Sequence, residues 1–229
     1  MHLEATKHIL IVAGGSGSRV GSYLPKQFLL LDGKPILFHT INSFLFLDDV
    51  EFTIVISPDY IDYWKNLCSQ YAFEVPHKIA EGGPTRFHSV KSGLKKISDD
   101  SVVLIHDAAR PFATKKTILR VLELAKQKGN AIPAIKINSS MREIYGSSNR
   151  VVNRDNLREI QTPQGFHSSV IKEAYKKNYT PSFTDDASVL ESTGDSINLV
   201  VGNPENIKIS HAIDLVLAEG ILTRIIHKK

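Results

Sequence analysis

A single cysteine, Cys68, stands in the 229 residues, so no intrachain disulfide can form and a zinc site built from several thiolates is excluded. Long hydrophobic runs are lacking as well. The run Ile9-Leu10-Ile11-Val12-Ala13 stops at Gly14, short of a signal-peptide core and of the roughly 20 residues of a membrane span. A reducing, cytoplasmic compartment is the expectation. Charge of one sign is scarce: the formal net charge is +4, with no dense Lys/Arg block, which suits anionic small molecules better than nucleic acid. The histidines form no H-E-x-x-H, the serines no G-x-S-x-G, and there is no G-x-x-x-x-G-K-[ST], which removes zinc hydrolase, serine hydrolase and P-loop chemistry. What is there, 42% hydrophobic and 23% charged residues, is ordinary for a globular protein and excludes collagen, coiled coil and wholesale disorder. At this length one domain, residues 1–229, is expected.

Ile9 to Ala13, Phe52 to Ile56 and Val102 to Ile105 are short β-branched runs of the kind buried on both faces of a parallel sheet. Helical spacing falls between them. Pro35 starts one helix, with Ile36, Leu37, Thr40, Ile41, Phe44 and Leu45 on its inner face; Thr114 caps another, carrying Ile118, Val121, Leu122 and Ala125. The alternation predicts an α/β fold: a mostly parallel twisted sheet with helices on both faces. The rhythm breaks between Ile137 and Thr162. There Met141 to Tyr145, a turn over Gly146 to Asn149, and Val151-Val152 predict a hairpin, a β-arm spanning 138–161. A two-stranded ribbon is marginal alone in water, so the arm is expected to pack on a second subunit. Helices over 168–177, 185–191 and 211–225 and a strand over 197–201 complete the reading.

The chemistry concentrates after the first strand, in Ala13-Gly14-Gly15-Ser16-Gly17-Ser18-Arg19, where an open α/β sheet presents its binding crevice. Glycines there let backbone N–H groups cradle an anion, and Arg19 adds a guanidinium fork, a combination aimed at a nucleoside triphosphate. The dinucleotide pattern G-x-G-x-x-G fails at Val20. Pro25 then positions Lys26 as a second cation. At the end of the strand Val102 to Ile105, His106-Asp107-Ala108-Ala109-Arg110-Pro111 brings an acid and a guanidinium to the crevice. Asp107 suits magnesium or a substrate hydroxyl, or else an ion pair with Arg110 that closes the turn. Gly82-Gly83-Pro84-Thr85-Arg86 with Ser89, Thr162-Pro163-Gln164 and Asn206-Ile207-Lys208 could complete a pocket, with Lys208 as one polar position on a short strand. His106 reads as a core imidazole and Trp64 as packing.

Taken together, Ala13-Gly14-Gly15-x-Gly17-x-Arg19, Pro25-Lys26-Gln27, the stretch from His106 to Pro111, Thr162-Pro163-Gln164, Thr184-Asp185-Asp186-Ala187-Ser188 and Asn206-Ile207-Lys208 resemble the 2-C-methyl-D-erythritol 4-phosphate cytidylyltransferase family, from about Ile9 to Arg224. The resemblance implies a Rossmann-like nucleotidyltransferase fold, a homodimer joined by the arm, CTP and Mg²⁺ as partners, no nucleic acid or membrane, and a step of non-mevalonate isoprenoid synthesis. It also implies roles. Arg19 and Lys26 would stabilise the transition state at the α-phosphate. Lys208, with Arg154 supplied by the partner's arm, would position the acceptor phosphate. Ala13, Gly14, Gly15, Gly17, Gly83, Arg86, Ser89 and Ala108 fall on the nucleotide side; Asp107, Arg110, Ser140, Thr162 and Thr184 fall on the acceptor side. Mg²⁺ would be held mainly by CTP phosphates, with Asp107 as the candidate protein ligand. Pro84 departs from an acid common in the family. The related ribitol-5-phosphate cytidylyltransferases and a silent nucleotide-binding module are the rivals; Asp107 to Arg110 and Asp185 to Ser188 read closer to the methylerythritol enzymes.

Overall fold

Side chains along the first strand alternate between two apolar layers. In β1 (Thr6–Ala13), Ile9, Ile11 and Ala13 enter one cluster and Leu10 enters another, as period-two geometry requires of a strand covered on both faces. The computed structural model describes residues 6–15 and 24–227; Gly17, Arg19 and Val20 lie outside the described residues. A short ladder of β2 (Leu30–Leu31) and β3 (Lys34–Pro35) leads into α1 (Ile36–Asn42), β4 (Val50–Ile56), α2 (Ile61–Gln70) and β5 (Lys78–Glu81). Next come α3 (Arg86–Leu94), β6 (Ser101–Asp107), α4 (Lys115–Lys128) and β7 (Asn130–Lys136). The arm is β8 (Met141–Tyr145) and β9 (Ser148–Val152). The chain returns through β10 (Arg158–Ile160) and β11 (Gln164–His167), then α5 (Ser168–Ala174), α6 (Asp186–Glu191), β12 (Leu199–Val201) and α7 (Ala212–Ile226).

The parallel strands β5, β4, β1 and β6 lie side by side, with Ile9 of β1 opposite Phe52 and Leu104. β11 inserts antiparallel between β6 and β7. Ala134 of β7 faces Ile160 of β10 on one side and Val201 of β12 on the other. Helices α1, α2 and α4 contribute to the core on one face, and α3, α5 and α6 to the core on the other. Side chains such as Ile9, Leu10, Ile41 and Trp64 have no solvent exposure, and each fully buried aliphatic is worth about 1.5–3 kcal/mol. α7 covers a smaller cluster of Leu31, Ile36, Phe112 and Ile209, beside the crevice end of the sheet.

Caps and turns explain where the expected bounds shift. Thr114 does cap α4, accepting from the Thr117 N–H, and Gly129 (φ +86°) ends it in the left-handed region that favours glycine. The helix begun after Pro35 stops at Asn42 rather than running to Leu45, because Phe44 N–H bonds back to Ile41 in a tighter turn. The helix expected over 168–177 ends at Ala174 in the same way, with Lys176 bonded to Glu173. The arm's turn is only Gly146 (φ +59°) and Ser147, so Ser148 and Asn149 join the strand. A two-residue turn with positive φ matches the twist of the flanking strands. No strand forms at 206–208: Ile209 N–H bonds a lone carbonyl, that of Ala109, so Lys208 sits on a loop.

Candidate active site

The crevice at the carboxyl ends of β1 and β6 holds a cavity of about 480 Å³, lined by residues from five of the predicted clusters. Its floor is backbone. Ala108 N–H donates to Val12 O (3.1 Å) and Ala108 O accepts from Thr40 Oγ1 (2.8 Å), which pins the turn after β6 to β1 and α1. Gln27 Nε2 donates to Ala13 O (2.6 Å) and reaches Gly15 O (3.3 Å), so the 3₁₀ turn Lys26–Phe28 holds the glycine segment and places Lys26 on the cavity wall. Gly14 packs so closely on α3 that a Cβ there would fall 2.8 Å from Ser89 Oγ. Ser89 Oγ in turn accepts from Gly83 N–H (3.0 Å). These small residues form a narrow slot, with Thr85 capping α3 at its edge.

Asp107, the last residue of β6, is the electrostatic centre. Its Oδ1 accepts from Arg86 Nε (3.2 Å), and its Oδ2 from Lys208 Nζ (2.8 Å), with Arg110 Nε 3.6 Å away. Burial disfavours the carboxylate, but Arg86, Lys208 and Arg110 more than offset that and hold it well below the usual carboxylate range. Beneath it lies a buried relay: Asp107 N–H donates to Thr162 Oγ1 (3.1 Å), Thr162 O–H to His106 Nδ1 (2.9 Å), and His106 Nε2 to Arg110 O (2.9 Å). Neutral His106 with its proton on Nε2 satisfies every link. Burial pushes its pKa down to about 4, so it is a core imidazole as the sequence suggests.

The cavity gathers Ala13, Gly14, Gly15, Lys26, Gly83, Arg86, Ser89, Asp107, Ala108 and Lys208. Several expected residues stand elsewhere. Thr162 is buried below Asp107 and steadies its backbone. Arg110 does pair loosely with Asp107, but its fork points inward and Nη1 donates to Asn206 O (2.7 Å). Thr184 is exposed before α6 and is not among the lining residues. Ser140 and Arg154 are exposed on the arm side of the chain, Arg154 bonding Asn138 O. Arg86 lines the cavity, with its fork held by Asp186 at 2.9 and 2.7 Å, so its two terminal nitrogens are already engaged. Lys208 sits on a loop and is anchored on Asp107 rather than standing alone on a strand. Burial works against the Arg86 charge, but Asp186 and Asp107 raise its pKa well above the ordinary value.

Both oxygens of Asp107, the candidate magnesium ligand, already have basic partners. A hard cation would have to displace donors from both oxygens while surrounded by three basic groups. Among the described residues no group of three His, Cys, Asp or Glu could hold a metal.

Sequence reasoning gave no individual role to Asp186 or Tyr175, and offered Gln164 only as part of a cluster that could complete a pocket. Gln164 Oε1 accepts from Asp186 and Ala187 N–H (3.1 and 3.0 Å), and its Nε2 donates to Asp185 (2.7 Å), which ties β11 to the start of α6. The consecutive acids Asp185-Asp186 were visible, but one caps α6 while the other is buried, a distinction that no local pattern makes.

A glycine slot, with Lys26 and Lys208 also on the cavity wall, lies at the carboxyl ends of β1 and β6; comparison with known proteins shows the family. The family model for 2-C-methyl-D-erythritol 4-phosphate cytidylyltransferase matches residues 7–224. The chain belongs to this family. Among similar proteins, the 2-C-methyl-D-erythritol 4-phosphate cytidylyltransferase of Bacteroides thetaiotaomicron is 43% identical over 93% of this chain and 98% of its own length. A crystal structure from Thermus thermophilus under the same name has 30% identity and a TM-score of 0.73, covering 93% of this chain and 98% of that one. The 4-diphosphocytidyl-2C-methyl-D-erythritol synthase of Anaerococcus prevotii has 26% identity and a TM-score of 0.81, covering 96% of each chain. Among the described residues, this family member has no helix long and apolar enough to cross a membrane.

Proposed function

We propose that this chain transfers the cytidylyl group of CTP to 2-C-methyl-D-erythritol 4-phosphate, giving 4-diphosphocytidyl-2-C-methyl-D-erythritol and pyrophosphate in non-mevalonate isoprenoid synthesis. The observation that carries the reading is one cavity in which Lys26 stands beside the glycine segment and Lys208 is anchored on Asp107. An oxygen of the acceptor phosphate attacks the α-phosphorus of CTP while the bond from that phosphorus to its bridging oxygen breaks, and pyrophosphate leaves with the electron pair. The attacking oxygen is already anionic near neutral pH, so no general base is required; alignment and charge neutralisation carry the rate. That agrees with a cavity rich in cations whose histidine neighbour, His106, is neutral and fully bonded.

In this reading Ala13, Gly14, Gly15, Gly83 and Ser89 receive the nucleotide, and Lys26 neutralises charge at the α-phosphate. Arg19 shares that task on the strength of its motif. Lys208 takes the acceptor phosphate, joined by Arg154 of a second copy whose arm crosses over in a homodimer. Magnesium would be held mainly by the phosphate oxygens of CTP and would neutralise their charge, because both Asp107 oxygens already accept from Arg86 and Lys208. The single cysteine supports placing the enzyme in the cytoplasm.

A pyrophosphate-release assay with CTP tests this, with methylerythritol phosphate and ribitol 5-phosphate as acceptors in parallel. Release with the first is expected. Release with ribitol phosphate alone would transfer the chain to the other acceptor, and nucleotide binding with no release would make it a silent module.

A further inference from the structure

The cytidylyl transfer uses the cations at the rim of the cavity and leaves one wholly buried carboxylate without a part. Asp186 has no solvent exposure. Its Oδ1 accepts from Arg86 Nη1 (2.9 Å) and from Tyr175 O–H (2.6 Å), and its Oδ2 from Arg86 Nη2 (2.7 Å). Gln164 fixes its backbone. Tyr175 is itself held by stacking on Phe87, the neighbour of Arg86, with ring centroids 4.7 Å apart. The carboxylate therefore meets Arg86 in the planar two-bond geometry that guanidinium groups favour.

This bond decides what Asp107 has left to offer. With its fork on Asp186, Arg86 turns only Nε to Asp107, and only to Oδ1. Oδ2 is then available to Lys208 at 2.8 Å. If Asp186 lost its charge, a largely buried guanidinium would have one carboxylate within reach, and the two-bond pairing would move to Asp107 and compete for both its oxygens. Lys208 would lose its anchor. We propose that Asp186 is a positioning residue of the acceptor subsite: by occupying the Arg86 fork, with Tyr175 orienting the carboxylate, it keeps Asp107 Oδ2 free to hold the Lys208 ammonium at the cavity. Asp186 touches no substrate in this account. The kinetic consequence rests on the cytidylyl-transfer reading, whereas the geometric one does not.

Asp186→Asn keeps the shape and removes the charge. The expected result is a rise of about tenfold in KM for the acceptor with KM for CTP changed less than about twofold. The same substitution in a Lys208→Ala background should add less than about twofold, because both changes act through one ammonium group. Tyr175→Phe, which leaves no charge unpaired, should raise the acceptor KM about two- to threefold in the Lys208 background alone. Equal effects with and without Lys208, or a lowered Tm with an unchanged acceptor KM, would reduce Asp186 to a structural ion pair and overturn the proposal. A crystal structure of Asp186→Asn decides the geometry whichever acceptor the enzyme uses: the Arg86 fork on Asp107 with Lys208 Nζ more than about 4 Å away is expected, and an unchanged Lys208 to Asp107 contact overturns it. If Asp186→Asn does not fold, the Tyr175→Phe kinetics carry the decision: a rise of about two- to threefold in acceptor KM that disappears in the Lys208→Ala background is expected, and an unchanged KM or an equal rise in both backgrounds overturns the proposal.

Discussion

In the body of the molecule β6 is buried at all seven positions, whereas eight of the ten strand residues of the arm are exposed. Both are regular β-structure with a complete ladder to at least one neighbour. The difference lies in what covers the faces: β6 has β1 and β11 at its sides and an apolar cluster above and below. The arm has only its own two strands, and Ile144, Tyr145 and Val151 stand 70%, 54% and 74% exposed. Backbone pairing alone therefore gives a shape without a core, and the stability of the chain resides in the layers. An arm of this kind contributes where it meets another surface, as the proposed homodimer requires.

The widest contrast should appear on truncating a large side chain in each region. Trp64 is fully buried against Phe28, Phe38 and Phe73, so Trp64→Ala should cost about 3–5 kcal/mol in denaturant unfolding. A cost below about 1 kcal/mol there would break the comparison.

Acid sharpens it next. His106 is buried and neutral with its pKa pushed down to about 4 from an ordinary 6.5. The unfolded chain takes up this proton as pH falls through 6.5 and the folded chain only near 4. The folded state thus binds fewer protons in that window, and its stability falls on acidification, by about 3 kcal/mol in total from this group. Unfolding free energies measured from about pH 7 to about pH 4.5 should show the slope, and His106→Gln should flatten it.

At the cavity rim, Lys26→Ala should lower kcat on the order of 10²-fold, as loss of one preorganised cation does, with little change in Tm. Full turnover in that variant would remove Lys26 from the chemistry. The smallest effect on folding belongs to the arm. Val151→Asp should alter the unfolding free energy of the body by less than about 0.5 kcal/mol, while sedimentation shifts from two chains to one. A variant that remained dimeric would move the interface away from the arm.

Much of this was readable from short stretches of chain. The apolar runs located β1, β4 and β6, Thr114 marked the start of α4, and the glycines after β1 with Lys26 and Asp107 pointed to one crevice. Misreadings had a common origin in distance along the chain. Lys208 looked like a strand residue because Ile207 and Ile209 flank it, but the partner of Ile209 is a lone carbonyl at Ala109. The contact of Arg110 Nη1 with the carbonyl of Asn206, 96 positions away, was likewise out of reach of local reading.

The amino-acid order by itself determined which segments become strands and helices and which types of side chain gather at the crevice, because periodicity, caps and glycine turns act over a few residues. Only the tertiary structure decided which charge meets which. Arg86 and Asp186 are 100 positions apart, and Asp107 chooses among three cations brought from separate elements. Such choices depend on distances of a few ångströms in a desolvated setting, where the strength of an ionic contact changes steeply with geometry. No local pattern in the chain encodes that.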